Sequence, residues 1–460
     1  MATNLDTKKP HVLIVGGGLA GLLLAILLDR QGVTYDIYER ASKIRALGAV
    51  MSLNANILPA FQQLGLYDEL MQVSFPSAGF VISKSNNEHI TSLSIDNEQE
   101  LIGYRHHLFA RPSLYDILLK RIAPERIHLN KKVTSIAQDD DSVTITCADG
   151  TSYTGDILVG ADGAYSGVRE ELYKQLEKEG ILPESDKESL SKGYICLVGT
   201  TDPVDPEKYP FVKQKEAYLH QVIGEGTPYT WSACNVPGNK ICWNVVVQLA
   251  AASKGSLDEK LMNAEWGPEA NESMIKEVSD FLVPIGGTMG DLINATPKDI
   301  ISRVFLEDKV FETWNHKRVV LIGDACHKLL PSAGQGAVNA MQDSVVLSNC
   351  IYDMVSTKLN DVEAALKDYR EQRFDYVVER YKDSKENAKI IYGQTLTERI
   401  IRHVVLNYMP RSFRVTTTSR SLKYRPQVAF LPQIPKRGTC PVLPQKPSKR
   451  YQLEQQTVVV

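Results

Sequence analysis

The sequence predicts an α/β fold: a Rossmann-like domain interrupted by an antiparallel sheet and followed by a helical region. Three observations carry this. The segment "HVLIVGGGLAGLLLAILLDRQGVTYDIYER", His11 to Arg40, reads as strand, glycine turn, helix and second strand. Two later apolar strands, "DILVG" and "RVVLI", each run into glycine and aspartate. Between them, "YTWSACNVPGNKICWNVVVQL" reads as two strands around a P-G-N turn.

Val12 to Val15 is a short, apolar, mostly β-branched run suited to a buried parallel strand, and the periodic apolar residues after Gly21 suit a helix packed on it. Val12 to Leu28 also makes seventeen residues without a charge, close to the length of a membrane span. Three consecutive glycines argue against a span, since each weakens a helix by about 1 kcal/mol relative to Ala. Gly16, Gly18 and Gly21 form G-x-G-x-x-G, a spacing set by a tight turn, the approach of backbone to a pyrophosphate, and close helix–strand packing. Glu39 ends the second strand eighteen residues past Gly21, where a carboxylate accepts hydrogen bonds from an adenosine ribose, with Arg40 beside it. The order of these elements points to a dinucleotide site.

At 460 residues the chain is long enough for two or three domains. Its 52 basic and 55 acidic side chains nearly balance, so neither nucleic acid nor an anionic membrane is expected as an obligatory partner. Seven cysteines without a C-x-x-C argue against a disulfide framework or a zinc site and fit a reducing compartment. The polar "MATNLDTKKP" carries no targeting signal, so a cytoplasmic location is expected.

A helix is expected from about Asn54 to Gly65, a hairpin in "AGFVISKSNNEHITSLSI", a helix from about Pro112, and a long helix in "QGAVNAMQDSVVLSNCIYDMVS". The expected boundaries are residues 10–72, 106–190 and 291–355 for the nucleotide-binding domain and 73–105 and 191–290 for the inserted domain. C-terminal helices follow over 356–415, then a proline-rich extended tail over 416–460. In "TLTERIIRHVVLNYM", Leu396, Ile400, Val404 and Tyr408 recur every four residues, an amphipathic stripe expected to dock on the body of the protein rather than on a membrane.

"GADGAYSGVR" (Gly160 to Arg169) and "GDACHKLLPSAGQGAVNAMQD" (Gly323 to Asp343) complete a set with the first motif. In order and spacing the three resemble the signatures of the class A, para-hydroxybenzoate hydroxylase-like, FAD-dependent flavoprotein monooxygenases, especially their fungal secondary-metabolism hydroxylases and epoxidases. The resemblance covers roughly Pro10 to Val355 and implies a glutathione-reductase-type FAD-binding domain.

It also implies roles. Asp324 holds a ribityl hydroxyl, at the carboxyl end of a parallel strand where open α/β sheets place ligand contacts. Gly334, Gln335, Gly336 and Ala337 let backbone N–H groups approach the flavin ring, and the positive end of their helix favours charge on the reduced ring. Pro331 borders the ring. Arg111 opens a helix beside the flavin, Arg45 and Gly48 belong to a mobile-flavin loop, and Asp162 and Arg169 serve FAD and the nicotinamide. Tyr194 lies where relatives carry an active-site residue. Catalysis is thus expected of Tyr194, Pro331 and Arg45. Cys326 with His327 invites a nucleophile or metal reading, disfavoured because no third ligand or orienting acid stands at a suitable spacing. His106, His107, Trp231 and Trp243 are expected to be structural, although the sheet bearing the tryptophans should roof the substrate pocket.

The implied reaction has NADPH or NADH reduce FAD, O₂ add at the flavin C4a carbon, and the hydroperoxide give one oxygen to an aromatic, indolic or prenylated small molecule. Rivals are a flavin-dependent reductase or dehydrogenase, a halogenase, which lacks its W-x-W-x-I-P signature here, and a non-catalytic binding protein on the same scaffold. Substrate, nicotinamide preference, and monomer against homodimer stay open.

Overall fold

The computed structural model describes residues 9–44, 48–94, 98–224, 226–249 and 268–458. Arg45 therefore lies outside the described residues. A six-stranded sheet runs Asn315–His316, Val319–Leu321, Ile157–Gly160, His11–Val15, Thr34–Tyr38, Ile127–His128. All its pairings are parallel except that of Asn315–His316. The helix Leu19–Gln31 is buried almost throughout, between this sheet and the helix Gly336–Tyr352. Ser344 donates to the Ala20 carbonyl at 2.8 Å and Gln31 to that of Ser348 at 2.8 Å, which locks the two helices together. A three-stranded antiparallel sheet, Val133–Gln138, Val143–Cys147 and Ser152–Gly155, leads into Ile157–Gly160.

A ten-stranded sheet forms the second layer. Its centre is Ser191–Thr200, Lys240–Gln248, Tyr229–Val236 and Ala217–Ile223, antiparallel, with Ala217–Ile223 then pairing parallel to Phe75–Lys84. The three-residue turn Pro237-Gly238-Asn239 between the paired Val236 and Lys240 holds Gly238 and Asn239 both at positive φ, 86° and 55°, which glycine and asparagine adopt at least cost. The sheet also takes Val50–Leu53, His107–Ala110 and Ser302–Val310, which the sequence reading groups with the nucleotide-binding segments. Their partners are remote in sequence, so local pattern says they are strands without saying in which sheet.

The helix Leu359–Tyr392 packs on Gly336–Tyr352 and on the turn Pro331–Ala333. Residues 425–448 are without helix or strand, yet they are docked: Val428, Ala429, Phe430 and Cys440 are buried against the first domain. A short helix, Lys449–Val458, follows. The amphipathic stripe departs from expectation. Leu396, Ile400, Val404 and Tyr408 are 72%, 55%, 51% and 70% exposed, and the helix Leu396–Tyr408 turns Arg402 inward instead. The Arg402 guanidinium reaches the Gly393 carbonyl at 2.6 Å, so a charge-assisted hydrogen bond does the docking that apolar burial was expected to do. No helix among the described residues is long and apolar enough to cross a membrane.

Candidate active site

The glycine turn does what its spacing requires. A Cβ on Gly16, at φ +109°, would stand 2.4 Å from the Ala161 carbonyl oxygen, and one on Gly21 would stand 2.2 Å from that of Gly16. The space around Gly18 is open. Gly18 caps Leu19–Gln31 without a side chain, and no acid occupies the first turn, which leaves backbone N–H groups and the positive helix end directed outward. Glu39 sits beside them. Its carboxylate accepts from the Gly17 N–H and the Ala41 N–H, both at 2.9 Å, while the Tyr115 hydroxyl donates to the Gly17 carbonyl. Arg40 is exposed.

The second and third motifs meet through Arg169. Its guanidinium donates to the carbonyls of Ala325 at 2.8 Å and Ala164 at 2.7 Å and stacks 4.2 Å from the Phe311 ring centroid. It is 7% exposed and joins the two loops. Asp162 accepts from the Val168 N–H at 3.2 Å through Oδ2, while its buried Oδ1 has no hydrogen-bond partner. Burial raises the Asp162 carboxyl above its ordinary value, against the pull of Ser166, the Val168 amide and Arg169.

Asp324 stands just past Val319–Leu321, half-buried, with the Lys328 ammonium 2.5 Å from Oδ2. Burial pushes its carboxyl up, but Lys328, His327 and Arg111 together hold it below its ordinary value. Lys328 was missed from sequence; the signal was a lysine four residues beyond the aspartate in a motif otherwise poor in charge. Pro331–Ala333 forms a single turn, Gly334 follows at φ 62°, and Ser332 donates to the Ser384 carbonyl at 2.6 Å, so the long C-terminal helix fixes this loop. The helix Gly336–Tyr352 opens at Gly336 and Ala337 with no acid in its first turn and no side-chain cap, and the Gln335 Oε1 beside it is buried without a partner. Gly48, at φ +123°, lies so close to Arg111 that a Cβ there would stand 2.7 Å from Cδ of the arginine.

The structure thus brings Gly18, Glu39, Arg111, Asp162, Asp324 and Gly334 to the carboxyl ends of the parallel strands. Open backbone N–H groups, the orphaned Asp162 and Gln335 oxygens and the glycine approaches match the donors, acceptors and clearances that FAD needs.

Cys326, His327 and Asp343 form a buried cluster, which corrects the expectation that no orienting acid is near. Asp343, sixteen residues past His327, accepts from His327 Nε2 at 2.6 Å and from the Gly323 N–H at 2.8 Å through Oδ2, and from Arg373 Nε at 2.7 Å through Oδ1. The acid is the last residue of the same Gly323–Asp343 motif, two turns into the helix Gly336–Tyr352, and the fold brings it back to His327. With Arg373 already paired to it, the cluster works as a brace for the Gly323–Asp324 turn. Burial, with Asp343, pushes the Cys326 thiol well up, which keeps it from acting as a thiolate.

The two faces of the ten-stranded sheet differ. Trp231 and Trp243 are 1% and 0% exposed and point away from the motifs, their N–H groups donating to the Leu282 carbonyl at 2.8 Å and Thr296 Oγ1 at 2.9 Å. They pack in a cluster with Met274, Val278, Met289 and Leu292. The alternate residues make the opposite face. There Val198, Asn244 and Ser232 stand side by side in register, Asn244 donating to Ser232 Oγ at 2.5 Å. The same face meets Ala49 and Ala110 through Val198 and Cys242, and Leu330 through Tyr194 and Val246. Those contacts adjoin Gly48, Arg111 and Pro331. Asn244 and Ser232 were missed; strand alternation from Trp243 and Trp231 was the available signal. Tyr194 packs its ring 5.5 Å from that of Tyr392, and burial, with Glu398 and Asp308, pushes its hydroxyl up to about 12. His106 and His107 bond to Asn54 at 2.7 Å and Ser74 at 3.1 Å.

The family described as FAD binding domain matches residues 9–205 and 244–384. The FAD-dependent monooxygenase atmM of Aspergillus flavus is 27% identical, covering 94% of this chain and 89% of its own length. The FAD-dependent monooxygenase penM of Penicillium crustosum is 30% identical, covering 83% of this chain and 78% of its own. Among solved structures, Klebsiella pneumoniae HpxO complexed with FAD and uric acid superposes with a TM-score of 0.71 at 23% identity, over 90% of this chain and 97% of that one. The glycine turn, the two aspartate motifs and the extent of these matches agree: the chain belongs to the FAD binding domain family, among its FAD-dependent monooxygenases.

Proposed function

We propose that this chain consumes NADPH or NADH to insert one atom of O₂, by hydroxylation or epoxidation, into an aromatic, indolic or prenylated small molecule. The observation that carries this reading is the facing of the Val198–Asn244–Ser232 row toward the loops of Gly48, Arg111 and Pro331. A planar ring held by those loops would have a mostly apolar wall with one polar row above it. Such a wall suits a flat or isoprenoid substrate and keeps water from the reacting atoms.

FAD, when bound, supplies the electron transfer and the activation of O₂. The chain supplies the rest. Glu39 and the N–H groups after Gly18 would hold the adenosine and pyrophosphate, Asp324 the ribityl chain, and Gly334, Gly336 and Ala337 the ring. Arg45 and Gly48 would belong to the loop that lets the ring move toward the nicotinamide, with Arg111 at the start of the helix beside it. Pro331 would border the reacting edge. Tyr194 would close the end of the pocket against Tyr392, and Asn244 would orient a substrate hydroxyl, carbonyl or indole N–H.

The test is turnover under ¹⁸O₂ with a panel of phenols, indoles and prenylated indoles. One labelled oxygen in product is expected, with NAD(P)H consumed in step and little peroxide. A product without label would assign the chain to flavin-dependent dehydrogenation instead.

A further inference from the structure

Half of the large apolar side chains exposed among the described residues fall within one stretch of twenty, among them Leu396, Ile400, Ile401, Val404, Tyr408 and Phe413. Their exposure is not that of a frayed end. Thr395 and Glu398 form a reciprocal capping box at the start of Leu396–Tyr408, and Arg402 anchors the opposite side to the Gly393 carbonyl at 2.6 Å. The helix is therefore fixed with its apolar side outward. Arg399 and His403, both exposed, flank that side. Residues 396–421 hold five arginines and one glutamate, within a chain whose formal net charge is −3; Arg402 is turned inward and Arg420 pairs with Glu379 at 2.6 Å, so Arg399 is the exposed cation on the helix itself.

We propose that Leu396–Tyr408 lies in the headgroup layer of an anionic phospholipid membrane. The apolar side would enter the acyl boundary, and Arg399 at its rim would pair with lipid phosphate while its stem extends along it. The local positive charge on an overall acidic chain selects an anionic lipid surface over a second copy of the same basic helix. The helix is too short to cross a bilayer and suits one lying in its plane. It begins four residues after Tyr392, and the Gln394 N–H donates to Gln248 Oε1 at 3.1 Å at the end of a strand bearing the pocket row. On the functional reading above, an apolar substrate dissolved in the membrane would reach the pocket from this side; the lipid contact itself does not depend on that reading.

The test is flotation of the full flavin-loaded protein with phosphatidylcholine vesicles, with and without phosphatidylserine. Most of the protein is expected to float with the phosphatidylserine vesicles and little with phosphatidylcholine alone. The triple variant Leu396→Ser, Ile400→Ser, Val404→Ser should lower the floated fraction by about tenfold with unchanged flavin absorbance, and Arg399→Glu should lower it in a salt-dependent way. Absence of flotation, or equal flotation of the triple variant, overturns the proposal. A dimer that the triple variant dissociates also overturns it, in favour of self-association. None of these readouts depends on turnover, so a failed ¹⁸O₂ experiment leaves them standing.

Discussion

Arg373 and Asp343 face each other across 2.7 Å with neither side chain exposed, and that pair ties the long C-terminal helix to the turn carrying Asp324. Arg373 also donates to Gln342 Oε1 at 3.2 Å and to Asn339 Oδ1 at 3.0 Å, so the guanidinium is well satisfied. Removing it strips the buried Asp343 Oδ1 of its partner and the carboxylate of its guanidinium, leaving only His327 and the Gly323 N–H on Oδ2. Arg373→Ala should cost about 3–5 kcal/mol of stability, and Arg373→Lys should recover only part of it because an ammonium cannot reproduce the planar fork. Chemical denaturation followed by circular dichroism checks both, and an unchanged midpoint in Arg373→Ala would show the pair to be dispensable.

The same pair sets a pH dependence. Burial raises the Asp343 carboxyl, but His327 and Arg373 outweigh it and hold the folded value below the ordinary 3.8. A depressed folded value stabilises the native state fully above 3.8, and that contribution is lost as pH falls from there through the folded value. Acid unfolding is expected in this range. In Arg373→Ala the depression shrinks, so the acid midpoint should move to higher pH; a midpoint that stays put would assign acid unfolding to other carboxylates.

Asp324→Ala removes a carboxylate from the end of the parallel strand and frees Lys328. FAD affinity is expected to fall by roughly tenfold to a hundredfold, the range of a charge-assisted hydrogen bond. Glu39→Ala should weaken binding too and loosen the Gly17 turn, whose N–H it accepts at 2.9 Å. Flavin absorbance per chain after gel filtration is the measurement, and full occupancy in both variants would displace the cofactor from this site.

Asn244→Ala should raise KM for a hydrogen-bonding substrate by roughly tenfold, with more NAD(P)H lost to peroxide. Trp243→Phe, on the other face, should change stability and leave KM alone. Tyr194→Phe separates a wall from a proton donor: with its hydroxyl pushed up to about 12, Tyr194 stays protonated across the working range, so no break near pH 10 is expected in the wild-type profile. An unchanged product yield in Tyr194→Phe would leave it as a wall residue.

The glycine turn was legible because its requirements are local: Gly16 and Gly21 are excluded from bearing a Cβ by atoms a few residues away or on the adjoining strand. The positions of Glu39 and Asp324 were legible for the same reason, each lying just past a recognisable parallel strand. Asp343 was not, since His327 is folded back onto it by the loop before the helix Gly336–Tyr352, and Arg373 is brought by the packing of that helix on Leu359–Tyr392, neither of which spacing encodes. Trp231 and Trp243 are structural as expected, but alternation gives two faces without naming the one that meets the flavin domain, so Asn244 and Ser232 were not legible. The stripe of Leu396 and Ile400 was placed inward on hydropathy alone, whereas Arg402, with carbonyls waiting at Gly393 and Ile390, turned the helix the other way.

The docked tail has a consequence for biosynthesis. Val428 pairs with Gln63 in both directions, Arg425 donates to the Ile102 carbonyl at 2.8 Å, Cys440 to that of Leu101 at 2.8 Å, and Asn56 to that of Tyr424 at 2.9 Å. Segments made early on the ribosome thus wait for partners made more than three hundred residues later. The amino-terminal half cannot complete its own surface before residues 424–440 are made. Until residues 424–440 arrive, Leu101, Ile102 and the helix Leu58–Gln63 stand uncovered, and the docking of that segment, rather than the emergence of the first domain, is the event that closes this face of the fold.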